Sequence, residues 1–174
     1  MRTSIVSSAL AALVAAPVAA QPSNPIAQAI AIEMHNHAEN MVPAAEAMPA
    51  EKYTFKPSPD QISFADLIYH AASANDTLCA AVAGERAPDT TAKASAPKQA
   101  LVDQLKQSFA YCDSVFGRFD PATVGTEVQV FGRTTTRAWL LFHLALDWGD
   151  HYSQAAAMLR LNGLVPPSAQ RRAR

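Results

Sequence analysis

The feature that most constrains this chain is a long apolar-periodic run at 139–163, WLLFHLALDWGDHYSQAAAMLRLNG. Its spacing predicts one helix, and at about 100° per residue Asp147 and His151 fall on the same side as Leu144 and Met158. That side should face a core. A buried charged group needs a countercharge or a metal ion, so the pattern predicts an acid and an imidazole directed inward to meet a partner.

The first 20 residues are typical of a signal peptide. Arg2 supplies a positive start, an apolar alanine-rich stretch follows, and Val18, Ala19 and Ala20 provide small residues before a cleavage point. We therefore expect cleavage after Ala20 and an exported, periplasmic protein. No run in the mature chain approaches the roughly 20 apolar residues of a membrane-spanning helix.

The mature chain is expected to form one domain at 21–167, followed by a disordered basic tail at 168–174. The net charge of −1 leaves no basic surface for phosphates, which argues against nucleic acid as a partner. Four amphipathic patterns predict an all-α four-helix bundle. The predicted helices run over 25–48, 63–84, 97–119 and 136–161, with a proline-rich connector at 49–62 and a short extended piece at 127–130.

The spacing of Asp147 and His151 also allows a metal site. Two ligands one helical turn apart can hold one ion, with a third ligand from another helix and water completing the site. His70 on the second helix, or His35 and His37 on the first, are candidates for that third ligand. From spacing alone, a hydrogen-bonded Asp–His pair is the more common arrangement.

Other polar residues are less specific. Asn75, Tyr152 and Gln154 are candidates for lining a substrate pocket, although such residues equally often serve packing and hydrogen bonding. His143 lies two turns before His151, about 12 Å along the helix, and cannot share its ion. A haem held by His37 and His143 ranks last, because the chain has no Cys-x-x-Cys-His attachment motif.

The two cysteines, Cys79 and Cys112, have two open interpretations. In an oxidising compartment they would form one disulfide. Each is equally suited to be a small buried apolar residue on its own helix. The sequence does not decide between these alternatives, since it does not show whether the two Cβ atoms meet.

Three segments resemble the DinB-like (DinB/YfiT) superfamily. The run DHYSQAAAMLRLNGLVPPS at 150–168 is similar to the family's final helix, with its second motif histidine, a Leu-Arg pair and Gly-x-x-Pro-Pro. SFADLIYHAASANDTLCAAVAGE at 63–85 is similar to the helix that carries the first metal histidine. LVDQLKQSFAYCD at 101–113 is similar to the third helix. The resemblance covers nearly the whole mature chain in order.

The resemblance implies a four-helix bundle, often a homodimer, with a divalent ion between helices two and four. By position its ligands would be His70, Asp147 and His151, with Asp147 standing where the family usually has a histidine. The resemblance does not distinguish between zinc, nickel, iron and manganese as the bound ion. Family activities include thiol-dependent transfer and isomerisation, and an exported member would not easily meet cytosolic thiols.

Two functions follow as expectations. The first is a metal-dependent enzyme of hydrolase or transferase type, acting on an unidentified small molecule, in which the ion acidifies water or polarises a substrate oxygen. The alternative is an exported, non-catalytic binding or dimerisation module with a degenerate metal site.

Overall fold

The fold is a bundle of four long helices. The computed structural model describes residues 25–89 and 92–172, so the predicted signal peptide at 1–20 lies outside the described residues. The long helices are α1 (Pro25–Ala47), α2 (Phe64–Ala83), α3 (Lys98–Gly117) and α4 (Arg137–Leu161). The predicted all-α class is confirmed. Within the described ranges, no helix combines the length and apolar character needed to span a membrane.

The start of α2 is fixed by a capping box between Ser63 and Asp66. The Asp66 backbone N–H donates to Ser63 Oγ, and the Ser63 backbone N–H donates to Asp66 Oδ2, each at 3.1 Å. The helix ends at Gly84, whose φ of 75° is a conformation that glycine adopts without steric cost. These two local signals define α2 from the sequence alone.

A small β-hairpin precedes α4. Strands β1 (Glu127–Val130) and β2 (Arg133–Thr136) pair antiparallel. Phe131 and Gly132 form the turn with φ of 50° and 72°, the positive pair that suits a two-residue hairpin turn. The sequence predicts only the first strand, since its alternating pattern ends at residue 130 and the next predicted element is the helix over 136–161. Thr136 fills both roles: it ends β2, and its Oγ1 accepts from the Trp139 backbone N–H.

The end of the chain corrects the prediction of a disordered tail at 168–174. Residues Pro167–Arg172 form a short helix, α5, with proline in the first helical position. Arg171 anchors it to α1 by donating to the Glu39 carbonyl at 3.1 Å and to Asn40 Oδ1. The basic residue therefore has backbone and amide acceptors on α1, which composition alone did not reveal. Residues 173–174 lie outside the described residues.

A buried polar network ties three helices together. Trp148 on α4 donates from Nε1 to Asn75 Oδ1 on α2 at 2.7 Å. Asn75 in turn donates from Nδ2 to Ser108 Oγ on α3 at 3.1 Å, and Ser108 donates to the Leu105 carbonyl at 2.9 Å. Because the groups are buried and bonded, the network stabilises one relative arrangement of the helices.

The structure decides between the two interpretations of the cysteines. Cys79 on α2 and Cys112 on α3 form a disulfide with a Cα–Cα distance of 5.4 Å, and both residues are fully buried. The bond lies beside the Asn75–Ser108 contact, one turn along each helix. It therefore joins α2 covalently to α3 in the middle of the core.

His37 lies on α1 in the layer between α1 and α4. Its ring centroid is 6.4 Å from that of Trp148, and its Nδ1 is a buried atom without a hydrogen-bond partner. Burial lowers the pKa of the His37 imidazole, and the Glu33 carboxylate, 3.8 Å from Nε2, opposes that shift in part. His37 is thus a half-buried histidine whose lowered pKa disfavours protonation.

We predict that removing the disulfide lowers stability substantially. The 33-residue separation of the cysteines implies a loss of about 4 kcal/mol from the free energy of unfolding in the chain-entropy description. The measurement is urea unfolding of the wild type and of the double variant Cys79→Ala with Cys112→Ala, with and without reductant. Reductant should lower the wild-type midpoint and leave that of the double variant unchanged. An unchanged wild-type midpoint would contradict the bond.

We also predict that His37 makes stability fall at acid pH. Its pKa is below 6.5 in the folded state, so the unfolded chain takes up the proton first as pH falls through 6.5. The resulting slope is at most about 1.4 kcal/mol per pH unit. The free energy of unfolding, measured from pH 7.5 to 5.5, should fall less steeply for His37→Gln than for wild type. Equal slopes for His37→Gln and the wild type would refute the prediction.

Candidate functional site

The acid and the imidazole on α4 form a close pair. His151 Nδ1 lies 3.5 Å from Asp147 Oδ2, as their spacing of one helical turn requires. The His151 side chain is nearly buried, with 5% exposed, and that of Asp147 keeps 21%. The structure therefore turns His151 inward and leaves one edge of Asp147 open to solvent.

His70 on α2 meets this pair. Its ring lies edge-to-face against that of His151, with centroids 4.9 Å apart. The two helices run antiparallel, since Arg137 at the start of α4 donates to the Ala83 carbonyl at the end of α2. This arrangement brings the middle of α2 beside the middle of α4 and gathers residues distant in sequence.

The position of His70 bears on the expected site. The pattern of α4 predicts that Asp147 and His151 meet a partner inside the bundle, whereas His70, which the spacing places at the edge of the apolar stripe of α2, is exposed. The core positions around it are taken by Leu67 and Ala71, which leaves His70 at the edge of the apolar face of α2. The three side chains consequently meet at the rim of the α2–α4 seam and not in its interior.

The protonation of His151 is controlled by its surroundings. Burial lowers the pKa of its imidazole, Asp147 opposes this shift, and His70 adds to it; Asp150 opposes it further. The largest of these effects is burial. At neutral pH the ring is held in its uncharged form, with a nitrogen lone pair available to accept a proton or bind an ion.

The donor set fits a divalent ion in its chemistry. Two imidazoles and one carboxylate are ligands for zinc, iron and manganese, and the chain holds them side by side. Between residues 25 and 172, apart from 90–91, no three His, Cys, Asp or Glu side chains are already arranged as ligands of one ion. The residues are therefore adjacent, and closing them around an ion requires movement of at least one side chain.

The other candidate histidines have separate partners. His35 is exposed, with Nε2 at 3.4 Å from Asp113 Oδ1 on α3. His143 stacks on the Trp139 ring with centroids 4.5 Å apart, and the Arg133 guanidinium covers the same ring. These contacts assign His143 to packing at the hairpin end of α4.

The three residues proposed to line a pocket differ in their roles. Asn75 is 1% exposed and uses both amide atoms in the core network, which corrects its assignment as a substrate contact. Tyr152 donates to Ser168 Oγ at 2.8 Å and so helps to hold α5. Gln154 donates from Nε2 to Asp150 Oδ2 at 2.7 Å and lines a groove. Trp148, the partner of Asn75, is not predicted from the sequence, because it lies off the stripe shared by Asp147 and His151.

That groove, here called the connector groove, lies between the proline-rich connector and the last turns of α4. Its volume is about 490 Å³. Sequence reasoning missed the connector side, since the segment has no periodic pattern to indicate which side chains face the bundle. The lining residues are Pro57, Asp60, Gln61 and Ile62 from the connector, and Gln154, Ala157, Met158 and Leu161 from α4.

Several solved structures share the fold. A DinB-like protein from Bacillus subtilis is 17% identical, with a TM-score of 0.65, 78% of this chain and 92% of that chain being covered. A DinB-like protein from Bacillus cereus is 15% identical, with a TM-score of 0.68. The match covers 80% of this chain and 95% of that chain. The mycothiol-dependent maleylpyruvate isomerase is 15% identical, with a TM-score of 0.59. The match covers 73% of this chain and 59% of that chain. At these identities the likeness shows the fold alone.

A comparison of sequences identifies the family. No curated protein matches this chain at a significant level. Residues 33–155, however, match the family description of the DinB superfamily, and that segment contains all of α2 and α3, most of α1 and α4, and the positions of His70, Asp147 and His151. The resemblance seen in the sequence motifs is confirmed, and the chain belongs to the DinB superfamily.

Proposed function

We propose that this protein binds a divalent metal ion through His70, Asp147 and His151 and uses it in a hydrolase- or transferase-type reaction on a small molecule. One observation carries the proposal: the His70 ring lies 4.9 Å from the His151 ring, whose Nδ1 is 3.5 Å from the Asp147 carboxylate. Two nitrogen donors and one oxygen donor from two helices are therefore neighbours at the rim of the bundle.

Each residue contributes differently to such a site. His151 is held by the core and supplies a fixed, uncharged imidazole. His70 is exposed, so its side chain has room to adjust toward an ion, and it leaves the outer side of the site open to solvent and substrate. Asp147 supplies a charged oxygen donor in place of the family's usual histidine. A bound divalent ion would supply Lewis acidity, either to water or to a substrate oxygen.

The carboxylate also bears on the choice of metal. Two histidines and one carboxylate form the ligand pattern of many non-haem iron sites, and carboxylate oxygen suits manganese and zinc as well. A thiol-dependent reaction such as that named for the maleylpyruvate isomerase is less natural for this chain, since an exported protein would not easily meet cytosolic thiols.

We also propose that the protein is exported and cleaved after Ala20. The proposal is supported by the composition of residues 1–20 and by the buried Cys79–Cys112 disulfide, a bond typical of oxidising compartments. Expression of the full chain in a Gram-negative bacterium should yield periplasmic protein whose intact mass corresponds to a start at Gln21. Recovery of the uncleaved chain from the cytosol would refute this prediction.

The metal proposal predicts that His151→Ala abolishes stoichiometric metal binding, because the variant removes the central ligand. The matched control is His143→Ala, which changes a histidine of the same helix that stacks on Trp139. Purified proteins are compared by elemental analysis and by thermal unfolding with added zinc, iron(II), manganese or nickel. At an ion concentration of 100 times Kd, the wild type and the control should gain about 2.7 kcal/mol of stability, and His151→Ala should gain none.

Two results would contradict the metal proposal. One is metal content that is the same in wild type and His151→Ala. The other is a wild type that contains no metal and whose unfolding temperature responds neither to any of the four ions nor to a chelator. The second result would instead support the alternative of a non-catalytic exported module with a degenerate site.

A further inference from the structure

We infer that the connector groove binds a small molecule with an apolar body and one positively charged ammonium group. The inference rests on the proposed function in one respect: it names the class of substrate that the neighbouring metal-binding residues would act on. The groove itself is a separate feature, and its binding is measurable without metal.

The floor of the groove favours an apolar body. Ile62 is 43% exposed and Leu161 is 63% exposed, so two large apolar side chains at the groove face water. Met158 and Ala157 continue the apolar surface along α4. A volume of about 490 Å³ lies within the range of sites for small organic ligands. A bound apolar group would remove this surface from water, which is favourable in proportion to the area covered.

The polar lining favours a cation. Asp60 is the sole ionised side chain among the described residues that line the groove, and none of them is Lys, Arg or His. Gln154 donates one Nε2 hydrogen to Asp150, so its Oε1 and its second Nε2 hydrogen, like the amide of Gln61, are available to a ligand. The two amides therefore suit either charge, and Asp60 is the lining residue that decides the preference. A carboxylate or phosphate ligand would find repulsion there, whereas an ammonium group would find a countercharge.

The groove continues from the candidate metal site. Gln154 and Met158 follow His151 by three and seven residues, which places them about 4.5 Å and 10.5 Å further along the axis of α4. On the other side, Ile62 lies just before α2, the helix that carries His70. The groove and the three proposed ligands thus share one side of α4, which faces the connector at the groove and α2 at the ligands. A molecule held in the groove would extend a reactive group toward His151.

The experiment measures binding of octyltrimethylammonium and octanoate to metal-free protein by calorimetry below the micellar concentration. We expect the ammonium compound to bind with a Kd at least about tenfold lower than that of octanoate. Ala157→Trp should raise the Kd of the ammonium compound by about tenfold or more, because the indole fills the groove. The matched control is Ala110→Trp, which places the same side chain at an exposed position on α3 and should leave the Kd unchanged.

A second variant tests the charge and does not depend on the folding of Ala157→Trp. Asp60 lies on the exposed connector, and Asp60→Lys should reverse the preference so that octanoate binds more tightly. The inference is overturned if the two ligands bind wild type equally, if neither binds, or if Asp60→Lys leaves the preference unchanged. If the wild type binds octyltrimethylammonium but no metal ion, the proposed function is overturned and the groove inference stands. If the wild type binds a metal ion but not octyltrimethylammonium, the groove inference is overturned and the proposed function stands.

Discussion

The structure depends on one buried interaction, the hydrogen bond from Trp148 Nε1 to Asn75 Oδ1. It joins α4 to α2 at 2.7 Å in the core, and Asn75 passes the connection to Ser108 on α3. Trp148 directly follows Asp147 in sequence, so the bond sets the rotation of α4 about its axis. With Trp148 directed at Asn75, the next turn of α4 places His151 against His70. An unpaired indole or amide in this position would cost about 1 to 3 kcal/mol, which penalises other rotations.

Much of this fold follows from local rules in the sequence. Apolar periodicity indicates the four helices, the Ser63–Asp66 box defines the start of α2, and Gly84 defines its end. The parts that could not be predicted depend on partners distant in the chain. Strand β2 requires pairing with β1, α5 requires acceptors on α1, and the disulfide requires two helices to approach within bonding distance. In each case the determining contact spans residues that no local window contains.

In the candidate site, too, some features follow from local sequence and others depend on distant contacts. The pairing of Asp147 with His151 follows from helical spacing, and the family resemblance selects His70 from the candidate histidines of the first two helices. The edge position of His70 also follows from the spacing of α2, whereas its contact with the His151 ring depends on how α2 and α4 pack together. The role of Asn75 was misassigned for a related reason: a polar residue on an apolar stripe suits a pocket or a core network equally, and only the position of Trp148 decides between them. The connector groove was missed because its connector side has no period.

The central claim is that two helices supply three ligands to one ion at the rim of the bundle. The most direct test is a crystal structure of the mature protein with a bound divalent metal, the ion being located by its anomalous scattering. The account predicts one ion in contact with nitrogen atoms of His70 and His151 and with a carboxylate oxygen of Asp147. An ion bound elsewhere, or a well-ordered structure that holds no ion there at saturating metal concentration, would contradict it.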